Sequence, residues 1–226
     1  RVAMLAVGGV LTGIDRIISG EIKNGMAIVR PPGHHATPDQ AMGFCLFNNV
    51  AIGARHLQKR HGIKKVLIVD WDLHHGNGTQ EAFYDDPSVL YFSTHQYPHY
   101  PGTGSYHETG EGKGEGYTIN APMRAGTPSE EFMKKFREAL YERALEFSPE
   151  FILISAGFDA HKDDPLGALL LTEDSYAEMT RIVLDISEKC CKGRVLSVLE
   201  GGYNLDALAL SVEAHLRVMT IRATDS

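Results

Sequence analysis

Two carboxylates and two imidazoles follow the branched aliphatic run Val66-Leu-Ile-Val69, in the order Asp70-Trp-Asp72-Leu-His74-His75-Gly76. Side chains of an extended chain alternate between faces, so Asp70, Asp72 and His74 can project to one side while the apolar residues before them enter a core. That side offers oxygen and nitrogen donors and no sulfur. Such a set suits a catalytic divalent ion, zinc above all, with one coordination position open to water or substrate. The plainer alternative is a polar strand end whose acids cap a neighbouring helix. It accounts well for a lone Asp or His, and poorly for Asp-x-Asp-x-His-His-Gly behind four aliphatics.

Other unusual residues also stand where apolar runs end. Arg30-Pro-Pro-Gly-His34-His35 follows the run at 27–29, Ala156-Gly-Phe-Asp159 follows 151–155, and Glu200-Gly-Gly-Tyr203 follows 195–199. Strand-like runs at 27–29, 66–69, 89–92, 117–120, 151–154 and 195–199 alternate with amphipathic stretches, which predicts an α/β fold with a mainly parallel central sheet flanked by helices. Ligand sites of open parallel sheets lie outside the carboxyl ends of the strands, so the four loops should converge on one crevice. Thr127-Pro-Ser-Glu130 reads as a capping box ahead of the stripe Phe132, Phe136, Leu140 and Leu145, ended by Ser148-Pro149. Further helices are expected over 48–61, closed by Gly62, and over 173–191, with Gly193 beyond its end. On this scaffold His56, His61 and His215 read as exposed or satisfied histidines rather than ligands. The glycine-rich segment 110–116 lacks a following Gly-Lys-Ser/Thr and reads as a mobile surface loop rather than a phosphate cradle. Around Gly102-Thr-Gly104, the tyrosines Tyr97, Tyr100 and Tyr106 fit a turn cluster or the mouth of a pocket equally well.

At 226 residues and 43% hydrophobic the chain can bury a full core, and no linker divides it, so one domain over 1–226 is expected. A formal charge of -7 and the absence of any Lys/Arg cluster argue against direct nucleic-acid binding. No apolar run approaches membrane-spanning length, so neither a membrane partner nor insertion is expected. Three cysteines, two of them the neighbours Cys190 and Cys191, imply no disulfide framework and favour a reducing, cytoplasmic setting. Arg1 leads at once into helix-like sequence, so a preceding segment is expected to be missing.

Together these motifs resemble the zinc-dependent histone deacetylase superfamily, of class II type, which includes acetylpolyamine amidohydrolases and acetoin-utilisation proteins. The resemblance runs from Gly8-Gly9-Val-Leu through Pro31-Pro-Gly-His-His35, Gly43-Phe-Cys45, Asp70-Trp-Asp-Leu-His-His-Gly-Asn77, Ser93 and Pro101-Gly-Thr-Gly104 to Ala156-Gly-Phe-Asp159 and Glu200-Gly-Gly-Tyr203. It implies an arginase/deacetylase-like fold lacking its N-terminal part. It also implies zinc on Asp72, His74 and Asp159, with His34 and His35 beside the metal, Asp70 behind His34 and Asn77 behind His35. Tyr203 matches the transition-state hydroxyl. A structural potassium ion would sit on carbonyls around Asp70, Asp72 and His74 with Ser93 and Thr94, and a second monovalent ion near Phe83, Asp86, Val89 and Tyr117. Phe44, Tyr100 and Leu166 would wall the substrate channel, with Gly43 and Gly202 allowing close approach.

The activity so implied is hydrolysis of an N-acetyl amide, most plausibly N-ε-acetyl-lysine of a protein or peptide, to free amine and acetate. A small acylamine such as an acetylpolyamine is the alternative substrate. An arginase-like two-manganese centre would need further Asp and His ligands, and only one metal's set is present. A noncatalytic acyl-lysine binder predicts loss of a ligand or of Tyr203, and neither is lost. A nucleotide-binding α/β protein predicts a glycine fingerprint after the first strand, which is absent.

Overall fold

The computed structural model describes residues 1–224. Six strands, β1 (Asn24–Ala27), β2 (Val66–Asp70), β3 (Val89–Gln96), β4 (Thr118–Met123), β5 (Phe151–Ala156) and β6 (Val195–Leu199), form one sheet in the order β1-β6-β5-β2-β3-β4. Every pairing is parallel. The helices are α1 (Val2–Ile18), α2 (Asn49–His61), α3 (Asn77–Phe83), α4 (Ser129–Phe147), α5 (Glu173–Cys191) and α6 (Leu205–Thr224). Parallel strands need crossovers, and the crossovers cover both faces of the sheet. Consequently β2, β5 and β6 are buried along their whole length. Alternation splits their side chains between two cores. Leu67, Val69, Ile152 and Ile154 pack with Phe132, Phe136 and Ile182, while Val66, Ile68, Phe151 and Leu153 pack with Val10, Ile14 and Leu57.

Local departures from the sequence expectations have physical causes. The first strand ends at Ala27 instead of starting there, because beyond it Ile28 is 63% exposed and the chain turns toward the site. The capping box expected at 127–130 does not form. Thr127 Oγ1 donates to the Arg124 carbonyl instead, at 2.7 Å, and α4 opens behind Pro128 with no side-chain cap. A reciprocal box forms between Thr172 and Ser175 at the start of α5. For α2 the expectation holds: Asn48 Oδ1 accepts from the Ala51 amide, and Gly62 closes the helix at φ 69°. Helices α3 and α6 were not predicted. The first is too short for a stripe, and the second carries apolar residues on several faces. The segment 110–116 forms a surface turn held to Tyr84 by the Glu111 amide at 2.8 Å. Cys45, Cys190 and Cys191 are all free.

Of the two readings of His215, exposed or satisfied, the second holds: it is fully buried in α6. Thr180 donates its hydroxyl to the Tyr176 carbonyl, so the imidazole Nδ1–H donates to Thr180 Oγ1 at 2.6 Å, and Ser197 serves Nε2 at 3.0 Å. Burial disfavours the imidazolium and pushes this histidine down to about 3. Because the unfolded chain then binds a proton that the folded one refuses, stability is full above pH ~6.5 and falls as pH drops toward the folded value. This one group should account for on the order of 4 kcal/mol across that window. Denaturant titrations from pH 7 to 4 should show a shallower acid loss for His215→Gln than for the parent. Parallel slopes would contradict the buried neutral assignment.

Candidate active site

The chain leaves the sheet at Asp70 by a pair of short acid turns. Asp70 Oδ1 accepts from the Asp72 amide at 3.2 Å, and Asp72 Oδ1 from the His74 amide at 2.8 Å. Each carboxylate thus holds the backbone two residues on, as Asp does in Asx turns, and the alternating register continues past the end of the strand. The third acid arrives from β5: Asp159 Oδ1 accepts from the Leu73 amide at 2.8 Å. Beyond β6, the Gly201 amide donates to Asp72 Oδ2 at 2.8 Å. Close approach is obligatory here, since a Cβ on Gly157 would lie 2.1 Å from Asp72 Oδ2 and one on Gly201 2.3 Å from Asp159 Oδ2.

One ligand atom each from Asp72, His74 and Asp159 lies within 4.8 Å of the others, and all three residues are buried. His74 Nδ1 stands 3.2 Å from Asp72 Oδ1 and 3.0 Å from Asp159 Oδ2. Two carboxylates so close, both out of water, require positive charge. Burial alone would raise Asp72, but the His34 charge and the His74 hydrogen bond hold it below the usual carboxylate range. Asp159, buried next to that ionised neighbour, is pushed up to about 6. His74 meets the demand: despite burial, its bonds to Asp159 and Asp72 drive it up to about 10. A divalent cation among the same atoms would supply that charge instead, and two carboxylates with one imidazole are a fitting donor set.

The histidine pair faces this group, with ring centroids 4.1 Å apart and His35 5.9 Å from His74. Their backing differs. His34 Nδ1 contacts Asp70 Oδ2 at 3.0 Å, whereas His35 Nδ1 contacts Asn77 Oδ1 at 2.9 Å. Burial opposes the charged form of both. For His34 the charges of Asp70 and Asp72 outweigh burial and keep it well above the ordinary histidine value. For His35 burial and the His34 charge prevail, bringing it down to about 3. Since the Asn77 amide oxygen only accepts, His35 carries its proton on Nδ1 and leaves Nε2 free to receive one.

Tyr203 lies across the crevice, half-buried, its ring 6.3 Å from that of Phe44. Burial and the charges of Asp72 and Asp159 raise the phenol, so it remains a donor at neutral pH. Tyr100 approaches His35 at 5.1 Å and His74 at 6.1 Å, which places it at the mouth. Tyr106 is 71% exposed and meets His107 edge to face. Phe44 and Leu166 are exposed. Gly43 has φ 55°, and a Cβ there would lie 2.3 Å from the His35 ring, so this glycine lets the wall touch the imidazole. The expectation for Gly202 needs correction: its Cβ would meet Leu208 of α6 rather than the channel. Ser93 pairs in register with Asp70 and contacts His95 Nδ1 at 2.9 Å through Oγ, and Thr94 is buried beside it. Near the second monovalent-ion position, the Asp86 carboxylate already pairs with Arg55 at 2.5 Å.

Several supporting residues were missed by sequence reasoning. Glu200 Oε2 accepts from the Gly33 and His34 amides at 2.6 and 3.2 Å, fixing the loop that carries the histidine pair. Tyr91 donates to Asp70 Oδ2 at 3.1 Å. Asp164 Oδ2 takes the Tyr203 amide at 2.8 Å and its Oδ1 the Leu166 amide at 3.0 Å, tying two parts of the rim together. His75 holds the Tyr100 loop through Thr103 Oγ1 at 2.7 Å. Glu200 and His75 lie inside motifs visible in the sequence and Tyr91 inside a strand-like run, but nothing local named their partners.

A sequence model of the histone deacetylase domain matches residues 1–219. The chain belongs to the histone deacetylase family. Among its relatives, a protein named "Probable deacetylase" from Archaeoglobus fulgidus is 49% identical over 90% of this chain and 56% of its own length. "Histone deacetylase 10, chloroplastic" from Oryza sativa subsp. japonica is 44% identical over 92% of this chain and 48% of its own length. The crystal structure of the HDA15 HD domain superposes with a TM-score of 0.93 at 46% identity, over 97% of this chain and 64% of that one. The family's fold is therefore the fold of this chain, which spans about half the length of the two relatives.

The Asp164 tie yields a structural prediction. Asp164→Ala should leave the Leu166 and Tyr203 amides without their buried acceptor, at a cost of about 1–3 kcal/mol. Hydrogen exchange at those amides should accelerate by more than about tenfold, while the β2 and β5 amides keep their protection. Unchanged protection at Leu166 and Tyr203 would show that the carboxylate does not hold the rim.

Proposed function

We propose that this chain carries the catalytic centre of a zinc-dependent deacetylase acting on N-ε-acetyl-lysine in proteins or peptides. The observation that carries the reading is the unequal histidine pair beside a buried Asp₂His set: one imidazole backed by a carboxylate, the other by a neutral amide. Asp72, His74 and Asp159 would hold the zinc, which when bound polarises the amide carbonyl and acidifies water. His35, neutral with Nε2 open, takes the proton of the attacking water and returns it to the leaving amine. His34, kept cationic by Asp70, stabilises the developing negative charge. Tyr203 donates its hydroxyl to the oxyanion from the opposite side. Phe44, Tyr100 and Gly43 line the path for an aliphatic lysine stem, with Leu166 on the rim. Carbonyls of Asp70, Asp72 and His74, with Ser93 and Thr94, are assigned to a potassium ion that braces the strand ends.

Two experiments test this reading. In the intact protein, Asp159→Ala should remove the zinc of this centre and the deacetylation of an acetyl-lysine peptide together. Tyr203→Phe should keep the metal and fold while turnover falls on the order of a hundredfold or more. A Phe variant turning over at the parental rate would remove Tyr203 from the catalytic set. Peptide binding without turnover in the zinc-loaded parent would favour a noncatalytic acyl-lysine binder.

Leu166 decides the substrate class. A leucine at this rim position offers no carboxylate there to pair with a second ammonium on the substrate. The specificity constant for an acetyl-lysine peptide should therefore exceed that for acetylspermidine. The reverse order would overturn the assignment and favour an acetylpolyamine amidohydrolase.

A further inference from the structure

A second cluster of metal-ligating side chains lies at the other end of the sheet. Helices α1 and α2 both run toward the amino ends of the strands, since α1 leads into β1 and α2 into β2. The active-site residues lie beyond the carboxyl ends, at Asp72, Asp159 and Gly201. Near the last turns of the two helices Asp15, His56 and His61 come together, with one donor atom each inside 4.8 Å. A single oxygen, Asp15 Oδ1, lies 2.7 Å from His56 Nε2 and 2.7 Å from His61 Nε2. The two rings meet edge to face at 5.1 Å. The sequence marks both histidines only as exposed or satisfied, because nothing local brings Asp15 to them.

We propose that Asp15, His56 and His61 form a second metal site, independent of the catalytic crevice, for zinc or another late first-row divalent ion. Two imidazoles and one carboxylate select zinc, nickel, cobalt or copper over magnesium and calcium, which prefer all-oxygen surroundings. Little has to move. Donors around a tetrahedral zinc stand about 3.3 Å apart, given bond lengths near 2.0–2.2 Å, so each 2.7 Å contact opens by roughly half an ångström. Both Nε2 atoms already contact the same carboxylate oxygen. For neutral rings, binding requires only that the proton shift from Nε2 to Nδ1. The Asp15 side chain is 52% exposed and those of His56 and His61 21% and 18%, so water can complete the coordination sphere. Three ligands from two helices make the ion a cross-link that fastens α1 onto α2, and binding to the folded state alone raises stability.

The test uses the intact protein, stripped with chelator and dialysed against zinc or, separately, nickel, with bound metal counted. The parent should take up two equivalents. His61→Gln and the double variant His56→Gln/His61→Gln should take up one, which also shows that they are folded. Asp159→Ala should retain one equivalent, and its melting temperature should rise with nickel but not with magnesium. That rise should vanish when His61→Gln is added. A parent that saturates at one equivalent, a second equivalent that survives the double histidine variant, or a melting temperature indifferent to nickel in Asp159→Ala would each overturn the proposal.

Discussion

Burying Asp72 against Asp159 is the constraint that the rest of this structure answers. Neither carboxylate reaches water: Asp72 takes a backbone amide on each oxygen, from His74 and Gly201, and Asp159 takes the Leu73 amide on one and turns the other toward His74. Like charges in that setting are tolerable only beside a cation. The fold supplies it through the imidazole of His74 and presents a donor set suited to a divalent ion. The glycines at 157 and 201 follow from the same demand, since any side chain there would displace the carboxylates. The parallel sheet makes the arrangement possible. Its central strands end together, so acids from β2 and β5 and an amide from beyond β6 meet without a long loop.

From that buried charge follows the asymmetry of the histidine pair. Both rings feel the charge of Asp72, yet only His34 has a carboxylate of its own. Exchanging Asp70 for Asn77 behind an otherwise similar ring separates a cationic partner from a neutral acceptor a few ångströms away. Glu200 keeps the pair in place by taking both amides at the start of their loop, and Asp164 does the same for the tyrosine opposite. These two buried acids make the crevice rigid without entering it.

How much was legible in the sequence depended on the distance between partners. The motif at 70–77 announced itself because a strand's apolar run breaks into ligands, and the parallel sheet could be read from alternating runs. The pairs His34–Asp70 and His35–Asn77 came from family resemblance, and the structure brings both within hydrogen-bond distance. Glu200, Asp164 and Tyr91 were silent because their partners are remote in sequence or separated by a turn, and a polar residue next to a glycine looks like any loop. The capping box at Thr127 failed because a hydroxyl there found a nearer carbonyl. The role given to Gly202 failed because its neighbour is Leu208 of a helix not foreseen. Local pattern reports what a residue can do, and the long-range partner decides what it does.

The most direct measurement is anomalous diffraction at the zinc edge on crystals of the intact protein loaded with one equivalent of zinc. The account predicts a peak bounded by Asp72, His74 and Asp159, at about 2.0–2.2 Å from one atom of each. A crevice with no peak, while zinc occupies other residues, would contradict it.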